Sequence, residues 1–257
     1  MSANSKLGEQ LVSLQRQQLT GILTIKSQDK KEWILYFYFG KLLWIKGGIH
    51  PNRSWQRHLA QFCPNLDSNL LASTINNKLE LPKYCSLTEI LQKKIIRRDQ
   101  IKALMIARNQ EIFFDLLQKE YKSPLYYNMQ IYSAHALLKV GFNLSLFTIN
   151  LEQILFQSQQ TWSTWGSKGL ASCSPHHAPL LKNYGELQKQ VPDLILQNMS
   201  RLLNGKNTLR DLSIKMDKDI LEITCGIVPY FFKSYLRLLE IPDLPDHYFS
   251  SHLLDLG

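Results

Sequence analysis

Residues 19–62 read LTGILTIKSQDKKEWILYFYFGKLLWIKGGIHPNRSWQRHLAQF. Three short apolar runs joined by tight turns lead straight into a basic, aromatic segment with helical spacing. Gly21 to Lys26 predicts a strand. The polar turn Gln28-Asp29-Lys30-Lys31 returns the chain into Trp33 to Phe39, which is apolar on both faces and so suits a central strand covered on each side. Glycine tolerates positive φ, so Gly40-Lys41 allows a tight hairpin into a third strand, Leu42 to Lys46. Gly47-Gly48 ends that strand. After Pro51, Ser54 to Phe62 predicts a helix with Trp55, Leu59 and Phe62 on one side and Arg57 and His58 beside them. Nothing in this stretch supplies a set of catalytic side chains.

Working outward, Lys6 to Gln18 predicts an amphipathic helix with Leu7, Leu11 and Leu14 at helical spacing. From about Asn65 to Tyr121 the pattern becomes helical. Ser86-Leu87-Thr88-Glu89 has the form of a capping box and is expected to start a helix carrying Ile90, Leu91, Ile95 and Ile96. Asp99 is expected to cap a further helix, Gln100 to Tyr121. Pro124 to Ile131 predicts a strand that rejoins the first three, which makes residues 65–121 an insertion between strands. Gln153 to Trp165 predicts a helix. The Gly/Ser/Pro content of 166–183 predicts a linker or long loop.

The last third reads as a second unit. Asp193 to Leu203 predicts a helix stopped by Gly205. Thr208-Leu209-Arg210-Asp211 caps a short helix through Met216. Asp217 is expected to open a longer one with Ile220, Ile223, Ile227, Phe231, Tyr235 and Leu238 on its apolar face, bent or broken at Pro229. The expected fold is therefore α+β: an antiparallel β-sheet with a large α-helical insertion, followed by a winged-helix-like helical unit. The expected domains are 1–165 for the sheet, 166–183 for the linker, 184–245 for the helical unit and 246–257 for a tail.

The chain has 257 residues, 44% of them hydrophobic, enough for a substantial core. Its net charge is +9, with a pI near 9.3, which fits nucleic acid, an anionic surface or an acidic protein partner without choosing among them. No apolar run reaches the roughly 20 residues that span a bilayer, and the first residues hold no apolar signal core, so a cytoplasmic location is expected. Cys63, Cys85, Cys173 and Cys225 share no CxxC or Cys/His cluster and are expected to be reduced.

A resemblance accompanies these readings. Gly21-Ile22-Leu23, Leu35-Tyr36-Phe37-Tyr38-Phe39-Gly40 and Leu42-Leu43-Trp44-Ile45 are followed by His50, Pro51, Arg53, Trp55, Arg57, His58 and Leu59. Later come Gly205, Thr208 to Leu212, and Pro229-Tyr230. In this order they resemble the N-terminal (PATAN) domain of cyanobacterial PatA-type response regulators. The resemblance implies a non-enzymatic output module of a phosphorelay, acting on type IV pilus-dependent motility and phototaxis or on heterocyst patterning. It implies a protein partner, the pilus extension ATPase, and a histidine-kinase pathway if the full-length protein carries a receiver domain. The chain stops at Asp255-Leu256-Gly257, where such a receiver would begin, so it reads as a shortened chain or as a family member without one.

No G-x-S-x-G, H-E-x-x-H or Walker lysine is present, and no carboxylate pair is placed for acid–base work, so neither catalysis nor a cofactor is expected. His176-His177 lacks a nearby carboxylate or cysteine pair and is expected on a surface loop, not at a metal. His50 and His58 are expected to make hydrogen bonds that position the turn. Trp33, Tyr36, Phe37, Tyr38, Phe39 and Trp44 are expected in the sheet core rather than as a base-stacking platform. Arg53, Trp55 and Arg57, together with Lys93, Lys94, Arg97, Arg98 and Lys102, are expected to form a protein-contact surface, with Ile95, Ile96 and Ile101 turned inward. Nucleic acid is disfavoured, because Asp217, Asp219 and Glu222 would open the helix that enters the groove.

Overall fold

The computed structural model describes residues 5–75, 79–139, 142 and 149–245. They fall into two compact units, one running through Thr164 and the other from Trp165 to Leu244. The expected tail, 246–257, lies outside the described residues.

The first unit opens with α1 (Lys6–Arg16), whose Ser5 side chain accepts a hydrogen bond from the Gly8 N–H at 3.0 Å. Strands β1 (Gly21–Lys26), β2 (Glu32–Tyr38) and β3 (Lys41–Gly47) follow as an antiparallel meander. Phe39 and Gly40 have φ of 47° and 73°, the doubly positive pattern of a type I′ hairpin, whose twist matches that of the strands it joins. The β2–β3 register slips between Tyr36 and Phe37, leaving Leu43 as the extra residue of a bulge. This resets the in–out alternation of β3, which is how four consecutive residues, Leu42 to Ile45, are all buried.

Helices α2 (Pro51–Phe62), α3 (Ser68–Thr74), α4 (Pro82–Gln92) and α5 (Arg98–Lys122) form the insertion. The chain then returns as β4 (Tyr126–Ile131), antiparallel to β1 with Gly21 opposite Ile131. The four-stranded order is β3-β2-β1-β4. Next come α6 (Ala134–Lys139) and α7 (Leu151–Ser167). Among the described residues, no helix is long and apolar enough to cross a membrane.

One core joins α1, the sheet and α5: Leu7, Leu11, Trp33, Leu35, Phe37, Ile101, Leu104 and Phe113 are all at 0% exposure. Glu120 on α5 fastens two neighbours to it. Its carboxylate accepts the Leu7 N–H at 2.9 Å and the Tyr127 hydroxyl at 3.1 Å.

Two expectations about the insertion are corrected. Ser86 is not a cap: α4 begins a turn earlier with Pro82 in its first turn, and Ser86 is fully buried with its hydroxyl 2.5 Å from that of Thr74. Proline needs no N–H donor there and outcompetes the later hydroxyl as the helix start. Nor does the helix carry Ile95 and Ile96. It ends at Gln92, Lys94 turns to φ 56°, and Ile95 is exposed while Ile96 is buried. The next helix starts at Arg98, with Asp99 in its first turn rather than at the cap. The Arg97 N–H donates to the Gln100 side chain at 3.1 Å.

The second unit contains β5 (His177–Leu181), α8 (Tyr184–Gln188), α9 (Asp193–Leu202), α10 (Leu209–Lys215), α11 (Ile220–Phe232) and β6 (Leu236–Glu240). Its core is Leu203, Leu209, Leu212, Ile223 and Leu236. The expected loop 166–183 therefore holds a strand, paired antiparallel with β6 from His177–Glu240 to Leu181–Leu236. The Thr208–Asp211 cap forms as expected: the Thr208 N–H donates to the Asp211 carboxylate at 2.9 Å, and the Asp211 N–H donates to the Thr208 hydroxyl at 3.1 Å. Asp217 does not open α11. It sits in the turn at φ 49°, and Asp219 is the cap, accepting the Leu221 N–H at 2.7 Å. Helix α11 runs through Pro229 and ends three residues later. Tyr235 and Leu238 thus lie beyond it, the latter on β6 opposite Pro179.

Candidate functional site

The arginine-rich segment after the sheet forms α2, with Pro51 at its first turn, and its motif residues point inward. Trp55 is 1% exposed, Arg57 3% and His58 5%. This corrects the expectation that Trp55 and Arg57 belong to a contact surface. Trp55 packs edge-on against Trp44 of β3, and Arg57 docks α2 against α5. The Arg57 guanidinium donates to the Glu111 carboxylate at 2.6 Å, a pair buried at both ends. His58 donates from Nδ1 to the Ser54 carbonyl at 2.7 Å and holds Nε2 3.7 Å from the other Glu111 oxygen. Burial lowers the His58 pKa to about 4. Glu111 opposes that shift, and the Arg57 and Arg108 charges add to it. The imidazole is therefore neutral at physiological pH and acts as a fixed strut; it makes a hydrogen bond as expected, but to Ser54 in its own helix and not to the turn. Arg53, one turn earlier, is half-buried and engaged with neighbouring groups.

The basic run presents itself to solvent. Lys93, Lys94, Arg97, Arg98 and Lys102 are all exposed, arranged on the turn between α4 and α5 and on the first turns of α5. Lys93 pairs with Glu89 at 2.6 Å, and Arg97 pairs with Asp99 at 3.1 Å. Lys94 and Lys102 make no ion pair among the described residues. Exposed pairs of this kind contribute about 0–1 kcal/mol each, so they leave the cations available to a partner. Ile96 and Ile101 are buried beneath them, as expected, but Ile95 joins the surface.

The sheet aromatics separate by position. Trp33, Tyr36, Phe37 and Trp44 are buried, Tyr38 is half-buried, and Phe39 at the hairpin tip is half-exposed. The core reading holds for the first four. In the second unit, His176 is buried and His177 lies on β5, its Nε2 3.8 Å from Glu240, so the expected surface loop is corrected for both. The four cysteines are free thiols, and burial pushes the Cys63 thiol up to about 11, which leaves it protonated and unreactive near neutral pH.

Two residues that sequence reasoning passed over carry much of the buried charge: Glu111, the acceptor for Arg57, and Arg108, which is 3% exposed. Arg108 donates to the Ile45 carbonyl at 2.7 Å and lies over the Trp44 ring at 4.5 Å from its centroid. The available signal was periodicity. Arg108 and Glu111 fall on the stripe of α5 that carries Leu104, Met105 and Ile112, where an exposed charge has no place. No protein-family model, curated protein or solved structure matches this chain.

Proposed function

We propose that the chain is a non-enzymatic protein-interaction module, the output of a two-component phosphorelay response regulator, acting on type IV pilus-dependent motility by binding the pilus extension ATPase. The observation that carries the interaction reading is the exposed basic run Lys93–Lys102. Five cations gather on one turn and the start of one helix, over a buried isoleucine pair that fixes the backbone. Such a patch accelerates encounter with an acidic partner and sets register, while apolar neighbours such as Ile95 supply contact area. The pilus and phosphorelay assignments rest on the PatA-type resemblance of Gly21 to Leu59 and are proposed on that ground.

The test is a pull-down of the pilus extension ATPase with the wild-type chain and with Arg97→Glu/Arg98→Glu. Both arginines are exposed, so the variant folds, and the expected result is at least a tenfold loss of captured ATPase. Equal capture by both chains removes the patch from the proposal.

We read the second unit as a degenerate winged helix used for protein contact. The order α9, α10, a short turn, α11, with β5–β6 as the strand pair, supports that likeness. The same order favours a second reading, a nucleic-acid-binding regulator. Charge argues against it: Asp219 is used as the α11 cap, and Lys218, the one cation at that end, pairs with Glu222 at 2.6 Å. Salt-dependent binding to random duplex DNA at physiological ionic strength would decide for the second reading.

A further inference from the structure

Strand β4 closes the order β3-β2-β1-β4 and has β1 as its only strand neighbour among the described residues. Its pairing with β1 fixes which backbone groups face outward. The Tyr132 N–H donates to the Thr20 carbonyl at 3.0 Å. By the alternation of an antiparallel ladder, Gln130, Asn128 and Tyr126 also turn their N–H and C=O groups toward β1. Those of Tyr127, Met129 and Ile131 point away from the sheet, and none of them makes a backbone hydrogen bond among the described residues.

Folded proteins blunt such edges with a charge, a proline, a bulge or a very short strand. β4 uses none of these. Its register with β1 is unbroken over six pairs, from Lys26–Tyr126 to Gly21–Ile131. Residues 126–132, YYNMQIY, hold no proline and no charge. At that end of β1 the cations are already matched: Lys26 pairs with Glu32 at 2.9 Å, and Lys119 with Asp29 at 2.6 Å. Lys6 rests over the Tyr127 ring, 5.7 Å from its centroid. A partner selected by charge therefore finds little to grip along this edge, unlike the basic run 93–102.

We propose that β4 is a self-association edge, at which two copies of the chain pair β4 to β4, antiparallel about Met129, into one continuous sheet. The strand is complementary to itself in that register. Outward groups meet outward groups: Tyr127 faces Ile131 of the second copy, Met129 faces its Met129, and Ile131 faces its Tyr127, each pair exchanging two backbone hydrogen bonds. On the inner face, Ile131, which is 71% exposed in the single chain, gains the flank of a tyrosine. On the outer face, Tyr126, 60% exposed, meets Tyr132, and the two exposed amides Asn128 and Gln130 meet each other. The two Tyr127 rings, each with its Lys6, lie four residues apart along the strands, about 14 Å, beyond the Debye length at physiological salt. The pairing is isologous and closes at two copies.

The test reads the mass of the full chain by sedimentation velocity over about a hundredfold range of concentration, and its amide exchange by NMR over the same range. A reversible monomer–dimer equilibrium is expected. The Tyr127, Met129 and Ile131 amides should gain about tenfold protection as the concentration rises, while those of Asn128 and Gln130, already bonded to β1, stay constant. Asn128→Lys/Gln130→Lys sets like charges against each other at a pair whose side chains approach closely, and should weaken the dimer at least tenfold. Asn128→Lys/Gln130→Glu sets opposite charges at the same positions and should restore it. Both positions are exposed, so both variants keep the fold. A chain that stays monomeric throughout the range overturns the proposal. So does a dimer that responds equally to the two variants, or one in which the three outward amides exchange as fast as in the monomer, because either result puts the contact on another surface.

Discussion

Glu111→Gln removes the negative charge from a pair that is nearly closed to solvent, with 3% and 6% of the two side chains exposed. The Arg57 guanidinium then stays buried without its 2.6 Å carboxylate, and His58 loses the charge that faces its Nε2. Removing one partner of a buried pair costs about 3–5 kcal/mol, because the remaining charge is left uncompensated. With a urea slope of about 2–3 kcal/mol per molar, the unfolding midpoint of the first unit drops by about 1–2 M. Trp33, Trp44 and Trp55 are buried in that unit and report the transition by fluorescence. The double variant Arg57→Met/Glu111→Leu removes both charges and keeps apolar volume, so it is expected to recover most of the loss. A cost below about 1 kcal/mol for Glu111→Gln, or a double variant as unstable as the single one, refutes the claim that this pair docks α2 on α5.

Acid is expected to act through His58. Its folded pKa, about 4, lies below the ordinary 6.5, so the native state holds the neutral ring while the unfolded chain takes up a proton. The stability is fully present above pH 6.5 and is lost as the pH falls toward about 4, by about 3 kcal/mol. Urea midpoints measured from pH 7.5 to 4.5 should fall along that window and flatten in His58→Gln; parallel slopes in the two proteins would assign the acid sensitivity elsewhere. Two glycine substitutions should move stability in opposite directions. Gly40→Ala forces a side chain at φ 73° and places its Cβ 2.5 Å from the Gln15 carbonyl oxygen, at a cost above about 1 kcal/mol. Gly226→Ala, inside α11 with nothing within 4 Å of the new methyl, should stabilise the second unit by about 0.8–1 kcal/mol. Thermal melts compare the pair, and equal shifts would contradict this account of both positions.

The sheet was legible because its signals are local. Alternation in Gly21–Lys26, the apolar run of β2 and a hairpin glycine are each readable within ten residues, and the return of β4 followed from its β-rich composition. Failures occurred where a hydrogen-bond signal had two interpretations. Ser86–Glu89 has capping-box spacing, but Pro82 lies earlier and starts the helix, which turns the serine into a buried partner for Thr74. The strand β5 hid in a Gly/Ser/Pro-rich stretch because only its pairing with the distant β6 makes it a strand. The exposed cations 93–102 were readable from charge alone. The burial of Trp55 and Arg57 was not: Arg57 pairs with Glu111, more than fifty positions away, and Trp55 packs on Trp44 of β3, contacts that no local pattern connects to them.

The placement of β4 has a consequence for how the chain is made. Three strands lie within residues 21–47, but β1 is flanked on its other side only when residues 126–131 arrive. At about 5–20 residues per second, the roughly 80 intervening residues take about 4–16 s to synthesise. Throughout that interval β1 is an open edge whose unpaired N–H and C=O groups can template pairing with another nascent chain. The long α5 and its Glu120, which grips both α1 and β4, emerge just before β4. Any fragment that ends before Tyr126 would keep that edge permanently open, so the shortest stable version of the sheet must extend through Ile131.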